Sequence, residues 1–480
     1  MPQKMLHFID LDRSPPDQRA PQERRADFDE IYREFAAEKA AEQASRCSQC
    51  GVPFCQVHCP LGNNIPDWLR ATAEGRLEEA YELSQETNAM PEICGRICPQ
   101  DRLCEGSCVI EQSKHGTVTI GAIERYITET AWEKGWVKPV RVGAPKGQSV
   151  GIIGSGPAGL TAAEGLRTRG YDVAIYDRHD RAGGLLTYGI PGFKLEKHVV
   201  ERRVTRLHEA GVAIQLNTDV GEDVSFSELR DRHEAVLIAT GVYGARELSV
   251  PGSNLKGVIP ALDYLITSNK QGFGDTVPDY DSGLMNAKGK RVVVIGGGDT
   301  AMDCVRTAVR QGAESVTCLY RRDRANMPGS QREVGHAEAE GVVFEWLASP
   351  LGIEGLKKAT GVKAERMRLG APEAGGRQRI ERIVGSDFRL DADMVITALG
   401  FDPEDLPKLF HEPTLGVDRW GTLAIDPNSA MTSMPGVFAA GDIARGASLV
   451  VWAVRDGREV TRSIDHYLTA LRAGSHAEAS

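Results

Sequence analysis

Eight of the ten cysteines fall between Cys47 and Cys108, in two runs of four: Cys47-x2-Cys50-x4-Cys55-x3-Cys59, then Cys94-x3-Cys98-x5-Cys104-x3-Cys108. Two groups of four thiols imply two metal centres. Short spacers let one loop or helical turn present several thiolates to a soft iron cluster, and a later residue closes it. The spacing therefore reads as two 4Fe-4S clusters, against a competing pair of structural zinc sites with four thiolates each. Disulfides fit less well. The opening MPQKMLHFIDLDR has no apolar signal core, and a chain expected in the cytoplasm keeps its thiols reduced.

At 480 residues the chain has room for about three domains, each with its own core. No apolar run is long enough to span a bilayer, so no membrane partner is expected. The formal charge of -10 argues against nucleic acid, whose phosphates call for a basic surface.

Residues 11 to 25 are charged and contain prolines, which predicts an extended lead-in. Phe28, Ile31, Tyr32 and Phe35 recur at helical spacing and predict a helix delivering the chain to Cys47. Two short helices are expected between the cysteine runs, and another from Ile120 to Trp136. Residues 1–145 thus read as a helical iron–sulfur domain. From Val137 to Ser149 periodicity gives way to Pro, Gly and Lys, a linker. Beyond it short β-rich runs alternate with helical stretches, the pattern of a parallel sheet covered by helices.

Two strand–loop–helix units follow. The first is SVGIIGSGPAGLTAAEGLRTRGYDVAIYDR, with Gly154, Gly156 and Gly159 in the loop and Asp177 ending the second strand. The glycines permit the tight turn, the approach of a pyrophosphate and close helix packing, while the acid can accept hydrogen bonds from a ribose. The second is KRVVVIGGGDTAMDCVRTAVRQGAESVTCLYRRDR, with Gly296, Gly298, Asp299, Thr300 and Ala301 opening the helix. Where an acid would select NAD, this chain has Arg321 and Arg322. Guanidinium groups there suit a 2'-phosphate, so NADPH is expected. The bland reading is a solvated turn. Cys304 and Cys318, outside the two runs, read as ordinary buried cysteines.

These units, with Gly183-Gly184-Leu185-Leu186, the Ala239-Thr240-Gly241 and Ala398-Leu399-Gly400 turns and Gly436 to Asp442, resemble the two-dinucleotide-domain flavoprotein reductases. The resemblance implies FAD in the first unit, held by Gly154, Gly156, Gly159, Asp177, Gly184, Leu185, Gly441 and Asp442, the last on the ribityl chain. It implies an α/β fold in which the NADPH-binding domain (257–404) is inserted between two parts of the FAD-binding domain (146–256 and 405–480). No cysteine follows Gly184 in LLTYGIPGFK, so a disulfide reductase's redox pair is absent there. No side chain is assigned a catalytic role, because the flavin carries the hydride chemistry. Pro follows Cys59 and Cys98 as in ferredoxin-type runs, where the last cysteine serves the other cluster. By that habit Cys59 joins Cys98, Cys104 and Cys108, leaving Cys47, Cys50 and Cys55 with Cys94 or Glu124 as fourth ligand.

The stretches CSQCGVPFCQVHCPLGNNIPDW, GRICPQDRLCEGSCV, GTVTIGAIERYI, GGLLTYGIPGFKLEK, VVVIGGGDTAMDCVRTAVRQGA, YRRDRANMPGS and FAAGDIARGASLVVWAVRDGRE extend the likeness from about Cys47 to Asp456. Together they resemble the family of small (beta) subunits of NADPH-dependent glutamate synthase. That family implies an electron-input role beside a large (alpha) subunit with FMN, which forms L-glutamate from L-glutamine and 2-oxoglutarate. This chain has neither an amino-terminal Cys nucleophile nor a stretch for an FMN barrel. The alternatives are the flavin subunit of a ferredoxin:NADP oxidoreductase or sulfide dehydrogenase, the reductase part of dihydropyrimidine dehydrogenase, and a non-enzymatic NADP-sensing or zinc-stapled protein.

Overall fold

The computed structural model describes residues 5–372 and 378–478. Residues 1–4, 373–377 and 479–480, which belong to the expected first, nucleotide and last domains, lie outside the described residues. Ahead of Ser149 the chain is helical, its longer helices being Ala37–Ser45, Ile65–Ala73, Leu77–Thr87, Pro91–Ile97 and Ile120–Glu133. The two helices expected between the cysteine runs form and are separated at Gly75, whose φ of 77° disfavours any residue with a Cβ. They pack with Ile120–Glu133 around Trp68, Leu69, Tyr81, Ile123 and Ile127, and the same core contains Cys47, Cys55 and Cys108. The thiols are thus fixed by the burial that forms this region.

Phe28 to Phe35 do not form the expected helix. It begins at Ala37, where the sequence turns to AEKAAEQAS, rich in strong helix formers. Tyr32 instead bridges Gln18 as in a strand pair, and the apolar residues go to separate neighbours. Phe28 meets Phe193 with ring centroids 6.3 Å apart, Tyr32 Oη lies 3.2 Å from His336 Nε2, and Phe35 enters the helical core. The periodic stripe is a strap across three parts of the molecule.

From Ser149 a five-stranded parallel sheet forms in the order Val437–Ala439, Ala235–Ile238, Ser149–Ile153, Asp172–Tyr176, Ala213–Gln215. A second parallel sheet has the order Val258–Pro260, Met394–Thr397, Arg291–Ile295, Ser315–Tyr320, Val343–Trp346. Each central strand runs into a glycine loop and then a helix, Pro157–Thr168 or Asp299–Arg310. All strands of the second sheet lie in sequence between the Ala235–Ile238 strand and the Val437–Ala439 strand that completes the first. The α/β architecture expected from the sequence is present.

A four-stranded antiparallel sheet, Ala348–Glu354, Gly361–Pro372, Gln378–Arg382 and Phe388–Asp391, was not anticipated. Its signal is the alternation in GVKA, where Val362 and Ala364 are buried and Lys363 is exposed. The last helix, Val450–Glu478, packs along Pro157–Thr168. A Cβ on Gly457 would lie 2.5 Å from the Ala158 carbonyl, so only glycine allows this approach. Among the described residues no helix is long and apolar enough to cross a membrane.

Candidate cofactor sites

In the first glycine loop a Cβ on Gly154 would lie 2.5 Å from the Ala239 carbonyl, and one on Gly159 would lie 2.1 Å from the Gly154 carbonyl. Gly156 has nothing within 4 Å of its Cβ position on that side, which leaves the loop face open, while Gly184 packs against Gly156 with a Cβ position 2.9 Å from its Cα. Gly441 comes up from the far end of the chain, its Cβ position 3.0 Å from the Ala158 side chain. Residues from three distant stretches therefore converge at the amino end of one helix, where backbone N–H groups favour an anion.

Asp177 is buried and anchored. Its Oδ2 accepts from the Ser155 N–H (2.8 Å) and hydroxyl, and its Oδ1 from the His179 N–H (2.9 Å) and Nδ1 (3.1 Å). Burial pushes its pKa up, but the hydrogen bonds from His179 and Ser155 prevail and hold it below the ordinary value. The carboxylate lines a cavity with Gly154, Thr240 and Tyr243. Asp442 accepts from the Ser448 hydroxyl at 2.8 Å, and burial raises its pKa. Leu185 opens the short helix that follows Gly184. Sequence reasoning missed Ser155 and His179. Their signal was position, between two fingerprint glycines and two residues beyond the acid.

The second loop repeats the geometry with different charge. Gly296 has φ 153°, and a Cβ there would meet the Ala398 carbonyl at 2.2 Å, while Gly298 is open. Asp299 and Thr300 begin the helix, and Ala301 is buried in it. Arg321 is exposed, whereas Arg322 is only 7% exposed. Arg322 forms no side-chain hydrogen bond or ion pair among the described residues, while nearby Arg324 is spent on Glu338 at 2.9 and 3.0 Å. A buried guanidinium without a protein partner fits an anionic group on a ligand.

The cysteines gather into two cavities. Cys47, Cys50, Cys55 and Cys108 line one; Cys59, Cys94, Cys98 and Cys104 line the other. The expected crossing of Cys59 is seen, but the remaining partition is corrected: Cys108 sits with the first run and Cys94 with the second. Helix Pro91–Ile97 explains this, because Cys94 and the helix-ending Cys98 are four residues apart on one face. Cys104 to Cys108 is a turn, not a helix, and so can part its two thiols. Glu124 also lines the Cys94 cavity rather than the Cys47 one, which removes it as a ligand for the latter.

Burial pushes Cys47 up to about 11, Cys55 to about 12 and Cys59 to about 11. Cys98 is raised well above its usual value by its hydrogen bond with Cys94 and by burial. Such thiols become thiolates only beside compensating positive charge, which a cluster iron supplies. Among the described residues no three His, Cys, Asp or Glu side chains converge as a site for a single ion. The thiols surround a space instead, which suits a cluster over lone zinc. Burial also pushes Glu124 up to about 8, against hydrogen bonds from Asn88 and Ser84.

Comparison with known proteins matches two stretches of the chain. Residues 24–136 match the family described as dihydropyrimidine dehydrogenase domain II, 4Fe-4S cluster, and residues 148–457 match pyridine nucleotide-disulphide oxidoreductase. The chain is 64% identical over 468 residues to the glutamate synthase [NADPH] small chain of Azospirillum brasilense, covering 98% of this chain and 97% of that one. It is 46% identical over 475 residues to the small chain from Escherichia coli (strain K12), covering 98% and 100%. Mycobacterium tuberculosis FprA, solved in complex with NADPH, shares the fold at a TM-score of 0.58 and 20% identity, over 69% of this chain and 86% of that one.

Proposed function

This chain belongs to the glutamate synthase [NADPH] small-chain family, and we propose that it passes electrons from NADPH to a large subunit that makes L-glutamate from L-glutamine and 2-oxoglutarate. It is an NADPH-dependent oxidoreductase with FAD and iron–sulfur clusters. When bound, FAD accepts a hydride and releases electrons singly, and clusters carry one electron at a time.

The chain's own residues bind, orient and separate these groups. In this reading the first glycine loop, Gly184, Leu185 and Gly441 cradle the FAD pyrophosphate region, with Asp177 at the ribose and Asp442 at the ribityl chain. The second loop, from Gly296 to Ala301, receives NADPH, and Arg322 with Arg321 meets its 2'-phosphate. Cys59, Cys94, Cys98 and Cys104 hold one cluster; Cys47, Cys50, Cys55 and Cys108 hold the other.

One observation carries the order of transfer. Val451, nine residues beyond Asp442 in the helix Val450–Glu478, packs directly with Cys94 and Cys98. The Cys94 cavity therefore adjoins the flavin-binding half, while the Cys47 cavity is bordered by Phe54, 43% exposed, with Val52 and Val57 exposed nearby. Cys59, Cys94, Cys98 and Cys104 would therefore hold the cluster nearer the flavin-binding half, and Cys47, Cys50, Cys55 and Cys108 the outer one, on the face where a large subunit would dock and receive electrons singly. The test is anaerobic mixing with NADPH. The isolated chain is expected to reduce its FAD rapidly, to pass electrons to ferricyanide and to form no glutamate until a glutamate synthase large subunit is added. Glutamate formed by the chain alone, or none after addition of the large subunit, would overturn this role.

A further inference from the structure

The segment between Cys98 and Cys104 reaches the second glycine loop as well as supplying two thiols. It turns through Gln100–Arg102 and sets Arg102 against that loop and Asp101 against the Ser330–Gln331 stretch beside it. Asp101 accepts from the Ser330 hydroxyl (3.1 and 3.2 Å) and from the Gln331 N–H (3.2 Å). Arg102 donates to the Pro328 carbonyl and pairs with Asp299 Oδ2 at 3.2 Å. Asp299 in turn accepts the Ser330 N–H on Oδ1 at 2.9 Å, and the Gly329 N–H donates to the Gly297 carbonyl at 2.9 Å. Residues 328–330 are thus moored both to the glycine loop and to the cysteine-bearing turn.

Asp299 creates an electrostatic conflict. It is the first residue of a 12-residue helix, directly after the open Gly298. The helix end and its free N–H groups attract a pyrophosphate, whereas a carboxylate at the same point repels one. Among the described residues Arg102 is the one cation ion-paired with Asp299.

We propose that Arg102, contributed by the helical iron–sulfur region, is a positioning residue of the nicotinamide-nucleotide site. It neutralises and orients Asp299, so that the helix end is available to the pyrophosphate, and it ties nucleotide affinity to the turn that carries Cys98 and Cys104. The inference rests on the reading that the Gly296–Ala301 loop takes NADPH. Coupling of this kind is reciprocal, so a bound nucleotide also steadies that turn.

Calorimetric titration of the oxidised holoprotein with NADP+ and with adenosine 2'-phosphate, which lacks the pyrophosphate, tests the proposal without turnover. Arg102→Ala is expected to weaken NADP+ about tenfold and leave adenosine 2'-phosphate unchanged. Adding Asp299→Asn, which keeps the acceptor for Ser330 but removes the charge, is expected to restore NADP+ binding to within about threefold. Unchanged NADP+ affinity in Arg102→Ala, equal loss of both ligands, or a loss that Asp299→Asn does not repair would overturn the proposal. If Arg102→Ala loses iron or flavin, Asp299→Asn alone decides: it must bind NADP+ at least as tightly as the parent chain, and weaker binding sinks the idea. Failure of the underlying loop assignment looks different, because Arg322→Ala would then also leave NADP+ affinity untouched.

Discussion

The two glycine loops and the two cysteine cavities are both pairs, but they are assembled in opposite ways. Each loop is contiguous, with strand, glycines, helix and selecting residue following one another, as in Ser149 to Asp177. Each cavity is interleaved: Cys59 leaves the first run for the second cavity, and Cys108 leaves the second run for the first. A contiguous loop is expected to fail only where it is altered. An interleaved one can be lost from either run, and so makes the two runs a single folding unit.

The largest expected effects test the independence of the loops. A Cβ on Gly159 or Gly296 would collide with backbone at 2.1 or 2.2 Å, and neither carbonyl can swing away as a side chain would. Strain of about 3 kcal/mol corresponds to roughly a hundredfold effect. Gly159→Leu is expected to purify without FAD. Gly296→Leu should keep its FAD but lose at least about a hundredfold in the rate of flavin reduction by NADPH, read by stopped-flow absorbance. Loss of FAD from Gly296→Leu would show that the loops are not independent.

The interleaving is tested by removing single thiols. Cys108→Ala is expected to give the same electron paramagnetic resonance spectrum as Cys50→Ala, and Cys94→Ala the same as Cys59→Ala. Iron should fall from about eight to about four per chain in each case. A Cys94→Ala spectrum matching that of Cys50→Ala would restore the partition expected from the sequence and break the comparison.

A smaller effect distinguishes the selecting residues. Asp177 is held by hydrogen bonds from Ser155 and His179, but the Arg322 guanidinium has no hydrogen-bond or ion-pair partner among the described residues. Arg322→Ala should therefore weaken NADPH by about 1.5 to 3 kcal/mol, the worth of a charge-assisted hydrogen bond, and leave NADH nearly unchanged. Arg321→Ala should cost less, since an exposed cation is screened by solvent. Dissociation constants for both coenzymes decide this, and equal losses would reduce the arginines to a solvated turn.

This contrast also explains what was legible. The glycine loops could be read because the backbone at Gly154 (φ 103°) and Gly296 (φ 153°) takes a conformation that favours glycine, and both nucleotide units show their residues in order. Membership of a cavity depends on how each spacer folds, which spacing alone does not give. The three-residue spacer from Cys94 to Cys98 is helical and that from Cys104 to Cys108 is not, although both spacings are the same in sequence. The strap from Phe28 to Phe35 failed for a related reason, since helical periodicity also arises when successive side chains serve different partners. Arg102 was illegible because its meaning lies in Asp299, nearly two hundred positions away.

The smallest effect concerns the seam between the loops. The Lys197 ammonium donates to the Leu186 and Ile190 carbonyls in the stretch after Gly184, and burial lowers its pKa to about 7 despite the pull of Asp303, which belongs to the second loop's helix. In the unfolded chain the same amine titrates near 10.4. Between these values the unfolded state holds a proton that the folded state has released, so stability rises with pH from about 7 upward. Lys197→Met removes that linkage. Thermal unfolding at pH 7 and pH 8 should show the parent chain gaining about 1 kcal/mol on the variant across that step. A difference that stays flat would mean that the amine remains charged when folded, held by Asp303, and that the two contiguous loops are joined by an ion pair rather than by packing around a neutral lysine.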